Sequence, residues 1–138
     1  MYDLLIVGAG PAGISTAVEA KHAGINRVLL LERAPSHSYT IQRLYVPGKR
    51  VDTAWKGVSA ACEGLMCILP GTRETVLATL EEFIRRYDLD IRYSQEVHRI
   101  ARTTDGFETW TAAGTRLRST FSTCTRPIGS PSPIAGRP

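Results

Sequence analysis

The sequence has no long apolar run. Near its start the longest is Leu4 to Val7, and glycine and proline follow at once. A bilayer span needs roughly 20 apolar residues, and a secretory leader needs a basic lead-in and a cleavage site, both absent here. Neither is expected, and a cytoplasmic protein is. Cysteine is scarce: three residues, an odd number, do not make the paired framework of a small secreted domain. Basic runs are missing too. The 17 Lys and Arg against 13 Asp and Glu leave a formal charge of +4. That excess suits an anionic ligand, but the cations come in ones and twos (Lys49-Arg50, Arg85-Arg86), so no stripe for nucleic acid forms. The histidines His22, His37 and His98 lie too far apart for metal-ligand spacing; each is expected at the surface or satisfied by a neighbour. No Ser-His-Asp signature, suggestive carboxylate pair or internal repeat stands out. Glu81 and Glu82 are expected on a solvated face, and Trp55 and Trp110 as core or edge aromatics. What remains is an ordinary composition, 43% hydrophobic and 22% charged over 138 residues, enough for one domain with a real core.

The first 32 residues carry the clearest organisation. Asp3 to Val7 is a short buried strand. A glycine-rich turn follows, then a helix from about Pro11 to Ala23, with proline at the first position where a missing N–H is harmless. Gly24 fits just past the helix end, and Ile25 supplies the accompanying apolar contact. Arg27 to Glu32 holds a second buried strand. Strand, helix and strand in this span form a βαβ unit with parallel strands. Residues 33–71 show no clean period and are expected to be loop-rich with one short helix. Thr72 is a candidate N-cap for a helix from Arg73 to Tyr87, whose Val76, Leu77, Leu80, Phe83, Ile84 and Tyr87 share one face. A strand at Asp90 to Tyr93 precedes three more, Val97–Thr103, Phe107–Ala112 and Thr115–Phe121. Turns at Asp105-Gly106 and Gly114 make these an antiparallel meander. From Ser122 on, the chain turns rich in proline, serine and threonine. Four of the eight prolines fall in the last 12 residues, so a disordered tail is expected over 122–138 and an ordered domain over 1–121.

Gly8-Ala9-Gly10-Pro11-Ala12-Gly13 is a GxGxxG between a strand and a helix, the context that gives this motif its meaning. Gly8 permits the tight turn, Gly10 lets the backbone approach a pyrophosphate, and Gly13 lets the helix pack on the strand. The pyrophosphate then meets the free N–H groups and positive dipole end of the helix. Glu32 ends the second strand 19 residues after Gly13, close to the roughly 20 expected for the acid that binds a ribose. Its carboxylate would accept from both ribose hydroxyls and repel a 2′-phosphate, which disfavours NADP. Arg33, next to it, is the residue that would accept such a phosphate.

Tyr2 to Gly13, with Pro-Ala inside the motif and Glu32 after the second strand, resembles the start of the two-dinucleotide-binding flavoproteins. These include thioredoxin reductase, the pyridine-nucleotide disulfide oxidoreductases and the flavin-containing monooxygenases. The resemblance runs on through Thr72 to Ile100 and covers residues 1–121. It implies a Rossmann-type FAD-binding α/β domain, a parallel sheet with helices plus the antiparallel meander. It implies that this motif holds FAD and that the Val97 backbone meets the adenine. In the intact family NAD(P)H supplies the hydride. Two departures stand out. The apolar strand and Ala-Thr-Gly-like turn expected after the meander are replaced by Phe-Ser-Thr-Cys-Thr-Arg-Pro-Ile-Gly. The second GxGxxG and the Gly-Asp segment that meets the flavin are missing. The expectation is therefore the FAD-binding part of an NAD(P)H-dependent flavin oxidoreductase, truncated or frame-shifted. The alternatives are an NAD-dependent dehydrogenase and an inactive nucleotide-binding fragment. Cys62 and Cys67 have the CxxxxC spacing of the glutathione-reductase redox disulfide without its flanking residues. They are a candidate redox pair, and the favoured reading is two small residues packed in a loop. No partner beyond the dinucleotide is indicated, and the acceptor and oligomeric state stay open.

Overall fold

The computed structural model describes residues 1–52, 54–59 and 61–125. The expected βαβ unit is present as β1 (Tyr2–Val7), α1 (Pro11–His22) and β2 (Val28–Leu31). α1 ends in a Schellman arrangement. Gly24, at φ +87°, donates to the Lys21 carbonyl at 3.1 Å, and Ile25 donates to Ala20 at 3.0 Å. These bonds satisfy carbonyls the helix leaves open.

Residues 33–71 are loop-rich, as expected, with the short helix α2 (Tyr39–Leu44) and two small ladders. One ladder pairs β3 (Arg50–Val51) with β6 (Gly71–Thr72); the other pairs β4 (Ala54–Trp55) with β5 (Val58–Ser59). α3 (Arg73–Arg86) starts at Thr72. The Thr72 side chain accepts from the Thr75 amide, and Thr75 Oγ1 accepts from the Thr72 amide at 2.8 Å. This is a capping box with threonine in place of the usual Glu or Gln. β7 (Asp90–Arg92), β8 (Val97–Thr103), β9 (Gly106–Thr111) and β10 (Arg116–Cys124) complete the chain.

Six strands form one sheet in the order β7-β2-β1-β10-β9-β8. The first four run parallel, and β9 and β8 continue antiparallel from β10. β2 lies inside the parallel part, and all four of its residues are buried. A continuous Val-Leu-Leu-Leu run is what a strand covered on both faces requires. On one face Ile6, Val28 and Leu30 meet Ile14, Ala17 and Val18 of α1 and Val76 and Leu80 of α3. On the other, Leu5, Leu29 and Leu31 meet Val97, with Ile100 and Leu117 packed alongside. Each fully buried side chain of this size contributes about 2 kcal/mol of hydrophobic stabilisation.

β10 corrects the expected domain end at residue 121. Its first half pairs with β9, and its second half lies beside β1, with Leu5 opposite Ser122 and Val7 opposite Cys124. Ser122 and Thr123 are therefore sheet residues. The Phe-Ser-Thr-Cys stretch lacks an apolar pattern because backbone pairing to β1, rather than side-chain burial, places it. The remainder of the expected tail, 126–138, lies outside the described residues.

Candidate functional site

The three motif glycines face three different surroundings. Gly8 has φ +108°, and a Cβ there would lie 2.6 Å from Thr125 Oγ1 and 2.8 Å from the Thr125 carbonyl oxygen. A Cβ on Gly13 would lie 2.0 Å from the Gly8 carbonyl oxygen. The fold itself demands both glycines. Among the described residues a Cβ on Gly10 would meet nothing within 4 Å, and its φ of −82° suits any residue. No described residue fills the space over Gly10.

Gly10 is also the N-cap of α1. No side chain caps this end, and no acidic residue sits in its first turn. Pro11 has no N–H, and the amides of Gly10, Ala12 and Gly13 find no acceptor among the described residues. Three donors at the positive end of a helix dipole beside an open surface suit a diphosphate.

Ala9 is treated differently. It is fully buried, and its amide donates to Glu32 Oε2 at 2.8 Å. Glu32 Oε1 accepts from the Ala34 amide at 2.8 Å. A carboxylate has about four acceptor positions, so half of Glu32 is committed to orienting it and half remains open to other donors. Arg33 is exposed beside it. The loop before β8 runs next to this end of β2, with Gln95 donating to the Glu32 carbonyl at 2.8 Å and Ser94 to Ala34 at 3.0 Å. Val97 follows two residues later, its side chain buried in the second core face. The glycine loop, Glu32, Arg33 and the approach to Val97 therefore share one end of the sheet.

Other members of this region carry no sequence motif. Thr125 donates its hydroxyl to the Val7 carbonyl at 3.0 Å, closing the floor beneath Gly8. His37 is buried and meets Glu81 Oε2 at 2.7 Å and Ser38 Oγ at 3.2 Å. It is a satisfied histidine, as expected, and its partner Glu81 keeps the exposed position expected of it. The two are 44 residues apart, and no spacing rule links a loop to a helix at that distance. Tyr93 lies nearby; burial chiefly, with Glu81 adding to it, pushes its phenol above the usual range.

Cys62 and Cys67 are joined in a disulfide with Cα atoms 5.7 Å apart. This corrects the favoured reading of two thiols packed in a loop. Cys62 is exposed, and residues 61–65 have too little apolar cover to bury it. The segment is tied to α1, where Glu19 Oε1 accepts from the Leu65 amide at 2.6 Å. Cys67 lines an open groove of about 340 Å³ with Leu69, Pro70, Thr75 and Thr79. Cys124 is exposed and unbonded. Among the described residues no cluster of His, Cys, Asp and Glu would hold a metal, and no helix is long and apolar enough to cross a membrane.

Residues 5–120 match the family described as pyridine nucleotide-disulphide oxidoreductase. The chain is 28% identical over 118 residues to an NADH dehydrogenase of Bacillus subtilis, covering 86% of this chain and 19% of that protein. It is 49% identical over 35 residues to a thioredoxin reductase of Ureaplasma parvum, covering 25% of this chain and 11% of that one. It thus spans a fifth or less of these relatives. A bacillithiol disulfide reductase from Staphylococcus aureus has the same fold, with a TM-score of 0.70 at 21% identity, covering 89% of this chain and 37% of that one. The glycine turn, the acid after β2 and the sheet that continues into a meander agree with the family match, and the chain belongs to the pyridine nucleotide-disulphide oxidoreductase family.

Proposed function

We propose that the chain binds FAD through its ADP half and forms the flavin-binding part of an NAD(P)H-dependent oxidoreductase. The carrying observation is Gly10, the one motif glycine whose missing side chain the fold does not use. The Gly10, Ala12 and Gly13 amides would donate to the pyrophosphate, and the open backbone of Gly10 would let it approach. Gly8 and Gly13 hold that loop, and Pro11 sets the first helical residue. Glu32, oriented by the Ala9 and Ala34 amides, accepts from the ribose. Arg33 flanks it, and the backbone near Val97 borders the adenine. When bound, the flavin supplies hydride and electron transfer; these residues supply binding and orientation. The Bacillus NADH dehydrogenase and Ureaplasma thioredoxin reductase support a redox role for the whole protein.

The test is direct. The purified chain is expected to be yellow, to release flavin on denaturation and to rebind added FAD. Gly10→Val is expected to lower FAD affinity at least tenfold, about the loss of one charge-assisted hydrogen bond, with an unchanged melting temperature of the FAD-free chain. A colourless protein that binds NAD but not FAD would support a nicotinamide-dependent dehydrogenase instead. One that binds neither would overturn the proposal.

A further inference from the structure

The Ala9–Gly10 peptide sits at the centre of the phosphate cradle, and its orientation is set from outside the glycine loop. The Ser38 amide donates to the Ala9 carbonyl at 2.9 Å. In a planar trans peptide the C=O and the following N–H point in opposite directions. A carbonyl turned towards Ser38 therefore turns the Gly10 N–H away from it, to the open side. The Ala9 amide, which belongs to the preceding peptide, is engaged by Glu32, and the Gly10 N–H is the one donor of the Ala9–Gly10 peptide.

Ser38 is itself held in an uncommon state. It has φ 50° and ψ 34°, the left-handed region, and is buried. A non-glycine residue stays there only when its surroundings enforce it. Three contacts do so. Its carbonyl accepts from the Ile41 and Gln42 amides at 2.9 and 3.1 Å, opening α2. Gln42 Nε2 donates to the preceding carbonyl, that of His37, at 2.7 Å. The Ser38 hydroxyl meets His37 Nδ1, whose ring is anchored through Nε2 to Glu81. The Glu81 carboxylate can only accept, so Nε2 carries a proton and donates to it.

We infer that His37 and Ser38 are positioning residues for the diphosphate: the ring, anchored on Glu81 of α3, fixes Ser38, and Ser38 turns the Ala9–Gly10 peptide so that the Gly10 amide faces the ligand. The inference rests on the dinucleotide reading and adds to it residues from two elements outside the GxGxxG. It also explains why a buried histidine stands in a segment of otherwise exposed character. Neither residue touches the ligand; both act through the Ala9 carbonyl.

ADP and adenosine separate this role from a general one. Both carry the base and ribose, but only ADP has the diphosphate. In the isotope-labelled chain, ADP is expected to shift the Gly10 amide resonance and adenosine to leave it nearly unmoved. His37→Ala is expected to weaken ADP about tenfold, the scale of one charge-assisted hydrogen bond, and to leave adenosine within about twofold. His37→Gln, whose amide reaches the Glu81 carboxylate, is expected to recover part of the loss. Should His37→Ala not fold, Glu81→Ala removes the same anchor from an exposed position, and a smaller loss confined to ADP is expected. Equal ADP affinity in these variants, or a parallel loss of ADP and adenosine, would overturn the positioning role while leaving the dinucleotide reading intact. A wild-type chain that binds adenosine but shows no added affinity for ADP would overturn both.

Discussion

Gly10 and Gly13 are the same amino acid three positions apart, and they answer to different constraints. Gly13 serves packing, because its missing Cβ lets α1 rest on the Gly8 carbonyl. At Gly10 no described atom meets the place of a Cβ, and the proposed role of that space is to admit the pyrophosphate. A pair of substitutions separates the two. Gly13→Ala forces a methyl to within 2.0 Å of a backbone oxygen, and a cost of about 2–3 kcal/mol is expected from overpacking. Gly10→Val meets open space, so its stability is expected to stay near that of the wild type while FAD affinity falls. Chemical denaturation of both variants with and without FAD checks the contrast. If Gly13→Ala were as stable as the wild type, the close approach would not govern this position. The packing role of Gly13 and the turn at Gly8 were legible in the sequence because turn, strand and helix sit within a few residues of each other. The His37–Glu81 contact was not, since it depends on how a loop without periodicity lies across α3.

At the scale of elements, α3 links the core to the site. Val76 and Leu80 bury one face against α1 and β2, while Glu81 reaches His37 from the neighbouring face. Its start depends on Thr72. Thr72→Ala is expected to lower stability by about 1 kcal/mol, the usual worth of an N-cap, with hydrogen exchange fastest in the first turn of α3. Equal exchange there would show that Thr75 and the β3–β6 ladder suffice. The amphipathic spacing of Val76, Leu80 and Phe83 made this helix readable, and the paired turns made β8 and β9 readable. The end of β10 was obscured for a physical reason. Ser122 and Thr123 are placed by main-chain bonds to β1, and main-chain bonds leave no trace in side-chain pattern. The Cys62–Cys67 pair had a recognisable spacing, but whether two such sulfurs bond depends on backbone geometry that spacing does not encode.

The described residues are held together by contacts between β1 and β10. β1 pairs with β2 on one side and with β10 on the other, and Thr125 lies under Gly8. A chain ending at Phe121 would lose the pairings of Leu5, Ile6 and Val7 with Ser122, Thr123 and Cys124. It is expected to unfold with less cooperativity, to bind a hydrophobic dye and to lose FAD affinity, because the floor of the glycine turn goes with those residues. Cooperative unfolding and retained affinity in that shorter chain would show that β10 beyond residue 121 is dispensable.

That pairing of β1 with β10 has a consequence in time. During synthesis the glycine loop is made first, but Thr125 lies 117 residues beyond Gly8, a delay of roughly 6–23 s at the usual pace of about 5–20 residues per second. Until then β1 offers an open edge to any passing strand. A cofactor meeting the nascent chain would find the donors of α1 before the seat that steadies them. A steady seat for a dinucleotide is therefore expected only once β10 has paired with β1.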